Sequence, residues 1–261
     1  MSKGTVLVVG SNADKLQLKS GEYAEIGTYL NELTVPTMAL VDAGFDIVLA
    51  TPTGKRPIID AQSRHASHFN NDEHAFNKAL NFFNEFPAMT GRVTLRSVID
   101  GGLDRFAAVF VPGGHAPIVD LSQDADVGGI LRDFHGKAKP TALLCHGPIA
   151  LIASVPDMKG FRAAMEDGDV TRAKSSATGW QYAGYKMTIF SDEEEKVAEE
   201  QLLKGKMTFY VGDALQAAGG IVTSNTKPFE PNVTRDRELI TGQNPRSDHE
   251  LADALINALQ G

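Results

Sequence analysis

The sequence has little cysteine, no long hydrophobic run and no excess of positive charge. Its one cysteine, Cys145, cannot form a disulfide within the chain, so we expect a fold independent of an oxidising compartment and predict a cytoplasmic location. No stretch approaches the roughly 18 apolar residues of a membrane-spanning helix, and the apolar run near the first residue is far too short for a signal peptide. The formal net charge is -8 and Lys and Arg are scattered, which argues against nucleic acid as a partner.

What the chain does contain is an alternation of short apolar, β-branched runs with helical patterns. Its 261 residues, 42% of them hydrophobic, can bury a core without covalent cross-links. The alternation favours parallel strands joined by crossover helices, so we predict an α/β fold in one domain spanning residues 1–261. Segments 53–104 and 155–186 are too long for ordinary loops and predict cap-like insertions over the sheet edge. The predicted strands are 5–10, 46–50, 107–111, 140–145, 187–190, 221–224 and 239–241, and the predicted helices are 36–43, 208–218 and a last one ending at 259.

Local signals mark where several of these helices begin and end. Pro36 suits the first turn of the first helix, and Gly44 suits the left-handed position just past its end. Ser191-Asp-Glu-Glu194 and Ser247-Asp-His-Glu250 are capping-box patterns. They predict the starts of two further helices, the second of which is the last helix of the chain.

The hexapeptide at 143–148, Leu-Leu-Cys-His-Gly-Pro, carries the most informative chemical signal. A buried strand runs into a sharp turn and then a helix, with Cys145 at the turn. Such an elbow holds a nucleophile in a strained conformation that faces the amides of the following helix. Because a helix N-terminus favours thiolate, we predict a lowered pKa for Cys145. The alternative is a small buried hydrophobic residue, which free Cys often is.

A glycine-rich loop at 109–117, Val-Phe-Val-Pro-Gly-Gly-His-Ala-Pro, points to the same place. Two glycines at the carboxyl end of a parallel strand let backbone amides approach a ligand, and ligands of open α/β sheets bind at those ends. The amides of Gly114 and His146 would together form an oxyanion hole. A plain glycine-rich turn is the alternative, and His115 would either face the pocket or cap the loop.

These two motifs, together with Leu-Ile-Thr-Gly-Gln-Asn-Pro-Arg-Ser at 239–247, resemble those of the ThiJ/PfpI superfamily. Within it, the chain is most similar to the glyoxalase III and heat-shock chaperone branch, and the resemblance covers nearly the whole chain. It implies a flavodoxin-like fold akin to class I glutamine amidotransferases, with a parallel sheet sandwiched by helices.

The resemblance also implies a carboxylic acid partner for the cysteine. The branch has a Glu a few residues before a Pro in its early helix, which here corresponds to Glu32 and Pro36. That Glu lies against the nucleophile, so Glu32 is carried over as the partner of Cys145. Burial would raise its pKa and let it donate a proton to the thiolate. From the residue type alone, a surface Glu is the ordinary expectation.

A second acid would orient the histidine. The branch places it a few residues past a strand-ending Phe, which here is Phe190. Spacing favours Glu195 as the partner of His146. Asp192, three residues earlier and on the same helix face, is the second candidate.

The implied activity is that of a glutathione-independent glyoxalase, a lyase that converts methylglyoxal, a 2-oxoaldehyde, and water to D-lactate. The Cys145 thiol would attack the aldehyde, and Glu32 with His146 would move a proton between the two carbons. No metal or organic cofactor is implied, and a homodimer is expected on this branch. The alternatives are a stress chaperone that binds unfolded clients, and deglycation of proteins or hydrolysis of amides by the same thiol. An amidotransferase proper is disfavoured, because its histidine is expected far along the chain from its cysteine.

Two other groups of residues are weaker candidates. His65, His68, Glu73 and His74 could form a metal site, since some relatives on this branch hold zinc. Their order fits no rigid ligand spacing, so a polar loop is the prediction. Trp180 and Tyr182 would either line the mouth of the pocket or pack in the core.

Overall fold

The computed structural model describes residues 2–261 and has an α/β architecture with a central sheet flanked by helices. The strands β1 to β10 are Thr5–Val9, Lys15–Gln17, Tyr23–Glu25, Asp46–Ala50, Phe106–Val111, Thr141–Leu144, Lys186–Met187, Ile221–Val222, Val233–Asp236 and Leu239–Gly242. The helices α1 to α11 are Leu30–Asp42, Glu73–Glu85, Pro87–Thr90, Leu95–Asp100, Ala116–Val119, Ala125–Gly136, Met158–Glu166, Val170–Ser176, Asp192–Ala198, Val211–Ala218 and Asp248–Gln260. A 3-10 helix, Gly147–Ser154, and a short π-helix, Glu199–Leu203, also border the site described below.

The central sheet has six strands in the order β4-β1-β5-β6-β10-β9. All neighbouring pairs are parallel except β10 with the edge strand β9. The carboxyl ends of β5, β6 and β10 therefore meet at one edge, which is where open α/β sheets bind ligands.

The inner strands are buried on both faces, as expected for parallel strands covered by helices. Every residue of β6 is buried, and so are residues 6–9 of β1. The largest fully buried side chains include Phe106, Phe110, Phe134, Phe161 and Tyr182. The predicted α/β class with a mainly parallel, helix-flanked sheet is confirmed. No helix in residues 2–261 combines the length and the hydropathy that crossing a membrane requires.

The start predicted for the first helix is wrong. Helix α1 begins at Leu30, six residues before Pro36, so the proline lies inside it. Proline lacks the amide that would bond the carbonyl of residue 32, which normally disfavours this position. The helix is nevertheless packed between α2 and α11, and such tertiary packing outweighs propensity. Gly44, with a φ of +95°, follows its end as predicted.

Two other elements also differ from the prediction. Within the predicted strand 187–190, only Met187 is in a strand; β7 pairs with β8 in a separate two-stranded sheet. The amide of Thr188 instead bonds the Thr241 hydroxyl at 2.8 Å. The predicted helix 208–218 begins at 211. The hairpin of β2 with β3 and the edge strand β9 were not predicted, because these strands are short or exposed.

The two predicted capping boxes have different outcomes. The Ser191 hydroxyl accepts from the Glu194 amide and the Glu194 carboxylate accepts from the Ser191 amide, as predicted for α9. Ser247 precedes α11 but its side chain does not cap it. Its hydroxyl instead accepts a bond from the Asn232 amide at 3.1 Å, so this local pattern was overridden by a tertiary contact.

Both long segments are largely helical. Segment 53–104 carries α2, α3 and α4, and α2 packs against α1. Segment 155–186 carries α7 and α8, which pack against each other. Residues of the first segment line the cavity of the candidate site.

Candidate active site

Cys145 lies at a strained turn between β6 and the 3-10 helix Gly147–Ser154. Its φ is +58°, a left-handed conformation that costs free energy for any residue other than glycine. The turn is fixed on both sides: the Cys145 amide donates to Gly242 at 2.8 Å, and its carbonyl accepts from Phe190 at 3.0 Å. The backbone thus has the elbow geometry expected of a nucleophile.

The loop after β5 approaches the cysteine so closely that only glycine fits. A Cβ on Gly113 would lie 2.5 Å from Glu32 Oε2 and 2.8 Å from Cys145 Cβ. Gly114 has a φ of +75°, and a Cβ there would lie 2.2 Å from the Gly27 carbonyl oxygen. The absence of these side chains brings the carboxyl group, the thiol and two loop amides together. The Gly113 amide donates to Glu32 Oε2 at 3.0 Å, and the Gly114 amide acts to lower the pKa of both Glu32 and Cys145.

A continuous polar chain leads from the thiol to two histidines. Cys145 Sγ lies 3.3 Å from His146 Nδ1, and His146 Nε2 lies 2.7 Å from Glu195 Oε2. The other oxygen, Glu195 Oε1, lies 2.8 Å from His115 Nε2. A carboxylate accepts from both rings, so each Nε2 carries the proton. His146 Nδ1 then presents its lone pair to the thiol, which is the arrangement of a general base.

Burial and charge shift the pKa values of this chain in a consistent way. Burial alone would raise the pKa of Glu195, but His115 and His146 hold that pKa well below its usual range. Burial and the neighbouring His115 lower the pKa of His146. An ionised Glu195 and a neutral His146 at neutral pH follow from these two shifts.

Glu32 and Cys145 form a second buried pair on the other side of the thiol. Burial raises the pKa of Glu32 well above its usual value, which favours the neutral carboxylic acid. Burial also raises the pKa of Cys145, and repulsion from Glu32 would raise it further whenever Glu32 is ionised. The predicted lowering of the thiol pKa is therefore wrong, because desolvation outweighs the nearby Gly114 amide. The two groups are close neighbours, because Glu32 Oε2 and Cys145 Cβ both lie within 2.8 Å of the place that a Cβ on Gly113 would take.

The structure distinguishes the acidic residues at the start of α9. Glu195 faces the histidines. Asp192 instead faces α10, because a Cβ on Gly212 would lie 3.2 Å from Asp192 Oδ1. Glu194 was missed as a site-forming residue, although the capping box singled it out. Its buried carboxylate accepts from the Phe229 amide at 2.7 Å and the Asn244 side chain at 2.8 Å. It therefore ties the loops around the site to α9.

A cavity of about 1400 Å³ opens above the thiol. It is lined by Gly114, His115, Cys145 and His146, and by residues of α1, α2 and α11. His115 therefore faces the pocket, one of its two predicted alternatives. Phe190 also lines the cavity, and its ring packs on His146 with 4.5 Å between centroids and an interplanar angle of 33°.

The four residues considered as a metal site do not converge. His65 Nδ1 bonds the Ser67 hydroxyl and His68 Nε2 bonds the Gln62 carbonyl, while Glu73 and His74 begin α2 and do not line the cavity. In the part of the chain that the structure describes, the group with metal-ligand character is His115, His146 and Glu195, whose ligand atoms lie within 4.8 Å of one another.

Trp180 and Tyr182 pack in the core rather than at the pocket mouth. The Trp180 indole donates to the Leu151 carbonyl at 3.2 Å and the Ser154 hydroxyl at 3.0 Å, and the Tyr182 hydroxyl donates to the Leu131 carbonyl at 3.2 Å. Neither lines the cavity. Of the aromatic residues, sequence reasoning missed Tyr29, which lines the cavity beside Cys145.

A flavodoxin-like α/β fold with a cysteine elbow at the carboxyl edge of its sheet defines the class of this protein. The model of the DJ-1/PfpI family matches residues 24–155, and the chain belongs to that family.

Individual relatives cover nearly the whole chain. A curated relative, the protein/nucleic acid deglycase HchA of Pseudomonas aeruginosa, is 25% identical over 256 residues, which are 97% of this chain and 80% of that protein. The Rapid Encystment Protein of Francisella tularensis has a similar structure, with a TM-score of 0.70, 24% identity and coverage of 98% and 99% of the two chains. Glyoxalase III of Candida albicans matches with a TM-score of 0.66 and 20% identity, covering 98% and 97%.

Proposed function

We propose that the protein is a glutathione-independent glyoxalase that converts methylglyoxal and water to lactate, with Cys145 as the nucleophile. The observation that carries this proposal is the position of the thiol between two proton-transfer groups. His146 Nδ1 lies 3.3 Å away on one side, and the buried Glu32 carboxylic acid lies on the other. A thiol hydrolase needs one base; an aldehyde isomerase also needs a group that moves a proton between carbons.

The first step forms a hemithioacetal. His146 Nδ1 takes the thiol proton, and the sulfur attacks the aldehyde carbon of the substrate. The carbonyl electron pair moves to the aldehyde oxygen, which takes the proton of Glu32. Glu32 thereby becomes a carboxylate next to the carbon that must lose its proton. In this proposal the amides of Gly114 and His146 stabilise the charge on this oxygen.

The second step is the isomerisation. The Glu32 carboxylate removes the proton from the former aldehyde carbon, and the electrons pass through a carbon–carbon double bond to the ketone oxygen. Glu32 returns the proton to the former ketone carbon, while the hydroxyl proton moves to the neighbouring oxygen. The product is a lactyl thioester on Cys145.

Hydrolysis of the thioester completes the cycle. Water attacks the acyl carbon and gives one proton to the Glu32 carboxylate, while the departing sulfur recovers the proton held by His146. Lactic acid leaves, and the neutral thiol, imidazole and carboxylic acid are restored.

A second candidate function uses the same thiol on adducts carried by larger molecules. The cavity of about 1400 Å³ greatly exceeds what a three-carbon aldehyde fills. The curated relative from Pseudomonas aeruginosa is named a protein/nucleic acid deglycase, which makes a deglycase the matching alternative. The chaperone alternative stays a prediction.

A lactate assay with methylglyoxal and no glutathione tests the proposal. We expect the wild-type protein to form lactate and Cys145→Ala to form none. A parallel assay follows release of free amine from a methylglyoxal-treated peptide after free aldehyde has been removed. Amine release in the second assay without lactate formation in the first would replace the glyoxalase with the deglycase.

A further inference from the structure

Tyr29 is held rigidly at the entrance to helix α1, against the glycine loop. The Thr28 amide donates to the Ile58 carbonyl at 2.8 Å, and the Leu30 amide donates to the Ser63 hydroxyl at 2.9 Å. A Cβ on Gly114 would lie 2.9 Å from the Tyr29 nitrogen. Hydrogen bonds on both neighbouring residues and close contact with the loop therefore fix the backbone from which the phenol projects.

The Tyr29 side chain is buried yet has a free hydroxyl. Its ring meets the His68 ring edge-on, with 5.3 Å between centroids. Within residues 2–261 no side chain or backbone group bonds the Tyr29 hydroxyl, whereas the hydroxyls of the buried Tyr182 and Tyr185 bond Leu131 and Glu238. The Tyr29 hydroxyl is not one of the fully buried polar atoms that lack a partner, so it stays open to solvent and is available to bond a ligand in the cavity that Tyr29 lines.

Tyr29 borders two cavities. Tyr29 lines the main cavity with Cys145, and it lines a second cavity of about 340 Å³ with His115. Burial, then the charges of Asp60 and Cys145, raise the pKa of Tyr29. The phenol therefore keeps its proton and acts as a neutral hydrogen-bond donor in a region of negative charge.

We propose that Tyr29 is a further catalytic residue, whose hydroxyl donates a hydrogen bond to the second oxygen of a vicinal dicarbonyl substrate. This inference rests on the proposed function and extends it to substrate choice. In the proposed mechanism the Gly114 and His146 amides stabilise the oxygen on the carbon that Cys145 attacks, and that mechanism assigns no donor to the neighbouring ketone oxygen. Tyr29 provides that donor when the substrate binds, and its bond strengthens as the oxygen gains charge in the isomerisation. The phenol proton stays on Tyr29 throughout.

Tyr29→Phe removes one oxygen atom and keeps the ring that packs on His68. Tyr23→Phe, at a tyrosine that is 62% exposed, is the matched control. We expect Tyr29→Phe to lower kcat with methylglyoxal roughly 10- to 100-fold, with an unchanged rate of Cys145 alkylation by iodoacetamide. Tyr23→Phe should leave both rates unchanged. A Tyr29→Phe kcat within twofold of wild type would overturn the proposal.

A second measurement needs no turnover and so separates this inference from the proposed function. Methylglyoxal and propanal both form hemithioacetals with a thiol, and each should protect Cys145 from iodoacetamide. Only methylglyoxal has the second oxygen. We expect Tyr29→Phe to weaken protection by methylglyoxal several-fold and to leave protection by propanal unchanged. If wild type makes no lactate, the proposed function fails. The ratio of protection by methylglyoxal to protection by propanal still tests whether Tyr29 bonds the second oxygen. An identical ratio in wild type and Tyr29→Phe would refute its role.

Discussion

Two histidine–carboxylate pairs, one buried and one partly buried, lie at opposite ends of the neighbouring strands β6 and β10. At the carboxyl ends, His146 Nε2 lies 2.7 Å from Glu195. At the amino ends, His135 Nδ1 lies 2.8 Å from Glu238, the residue before β10. The two contacts are nearly identical in chemistry and length.

Their surroundings differ. The Glu195 pair adjoins a thiol, a second histidine and a large cavity. The Glu238 carboxylate instead accepts from the Tyr185 hydroxyl at 3.1 Å, and Arg237 covers the ring of that tyrosine. The Glu238 group therefore joins α6, the segment before β7 and the start of β10.

A histidine–carboxylate contact thus does not define an active site. What distinguishes the carboxyl end is a cysteine at a φ of +58° and space for a substrate beside it. We therefore expect changes at the two pairs to affect different properties: turnover at one end of the sheet, and the free energy of unfolding at the other.

We expect the largest effect on turnover from removal of the Cys145 sulfur, which adjoins the Glu195 pair and has no counterpart at the Glu238 pair. Cys145→Ala should lower lactate formation by about 10⁴-fold or more, because the covalent route is lost. The melting temperature should change little, because Ala keeps the small volume and the same strained backbone. The checks are a lactate assay and a thermal melt. A rate near wild type would contradict the assignment of Cys145 as nucleophile.

Glu32, which has no counterpart at the Glu238 pair, should have the next largest effect. Glu32→Gln keeps a hydrogen-bond donor but cannot exchange a proton, so lactate formation should fall about 10²- to 10⁴-fold. Cys145 should still react with iodoacetamide near neutral pH. Near-normal lactate production would transfer the proton-carrier role to His146.

The same variant has an expected signature in stability. Burial raises the pKa of Glu32, so the folded protein keeps a proton that the unfolded chain has already released. The free energy of unfolding of wild type should therefore fall as pH rises towards that raised pKa. Glu32→Gln lacks this loss, so its melting temperature should decline less than that of wild type over the same range of pH. Parallel melts across the pH range would contradict a buried neutral Glu32.

A matched pair of substitutions tests the comparison itself. Glu195→Gln puts an amide NH₂ opposite the N–H of one histidine, so one of the bonds to His115 and His146 is lost. We expect the rate of lactate formation to fall about 10²-fold. Glu238→Gln should leave the rate within twofold and lower the free energy of unfolding by about 1–2 kcal/mol. Lactate assays and urea unfolding measure the two effects. A rate loss in Glu238→Gln would remove the distinction between the two ends.

The site residues that could be predicted from the sequence are those that lie in short, recognisable sequence patterns. Cys145 and His146 are adjacent at a strand end, and the family resemblance pointed to Glu195 by its spacing from Phe190, one residue past the capping box of Ser191 and Glu194. The glycine loop and the parallel sheet follow from equally local patterns. The structure brings all of these residues together, although their catalytic roles stay predictions.

Features that depend on tertiary contacts were not predictable in the same way. The Glu195 carboxylate is shared by His115 and His146, and its contact with His115 joins residues 80 positions apart. The true start of α1 depends on helix packing that outweighs Pro36. The thiol pKa depends on burial, which no local pattern reports. The absence of a hydrogen-bond partner for the Tyr29 hydroxyl can be recognised only when the coordinates of all possible partners are known.

The smallest expected effect distinguishes the two histidines of the active-site pair. His115 lowers the pKa of His146, and Glu195 raises it. His115→Gln places an uncharged amide nitrogen near the position of Nε2, so the bond to Glu195 is kept and the charge is removed. The pKa of His146 should then rise. Since His146 must be neutral to take the thiol proton, the acidic limb of the pH profile of kcat/KM should move to higher pH. The plateau value of kcat/KM should fall less than tenfold.

Glu195→Gln should move the same acidic limb to lower pH, because the charge that raises the pKa of His146 is lost. His115→Ala, which breaks the bond as well, should lower the plateau further than His115→Gln. A purely structural His115 would lower the plateau in both variants and leave the position of the limb unchanged.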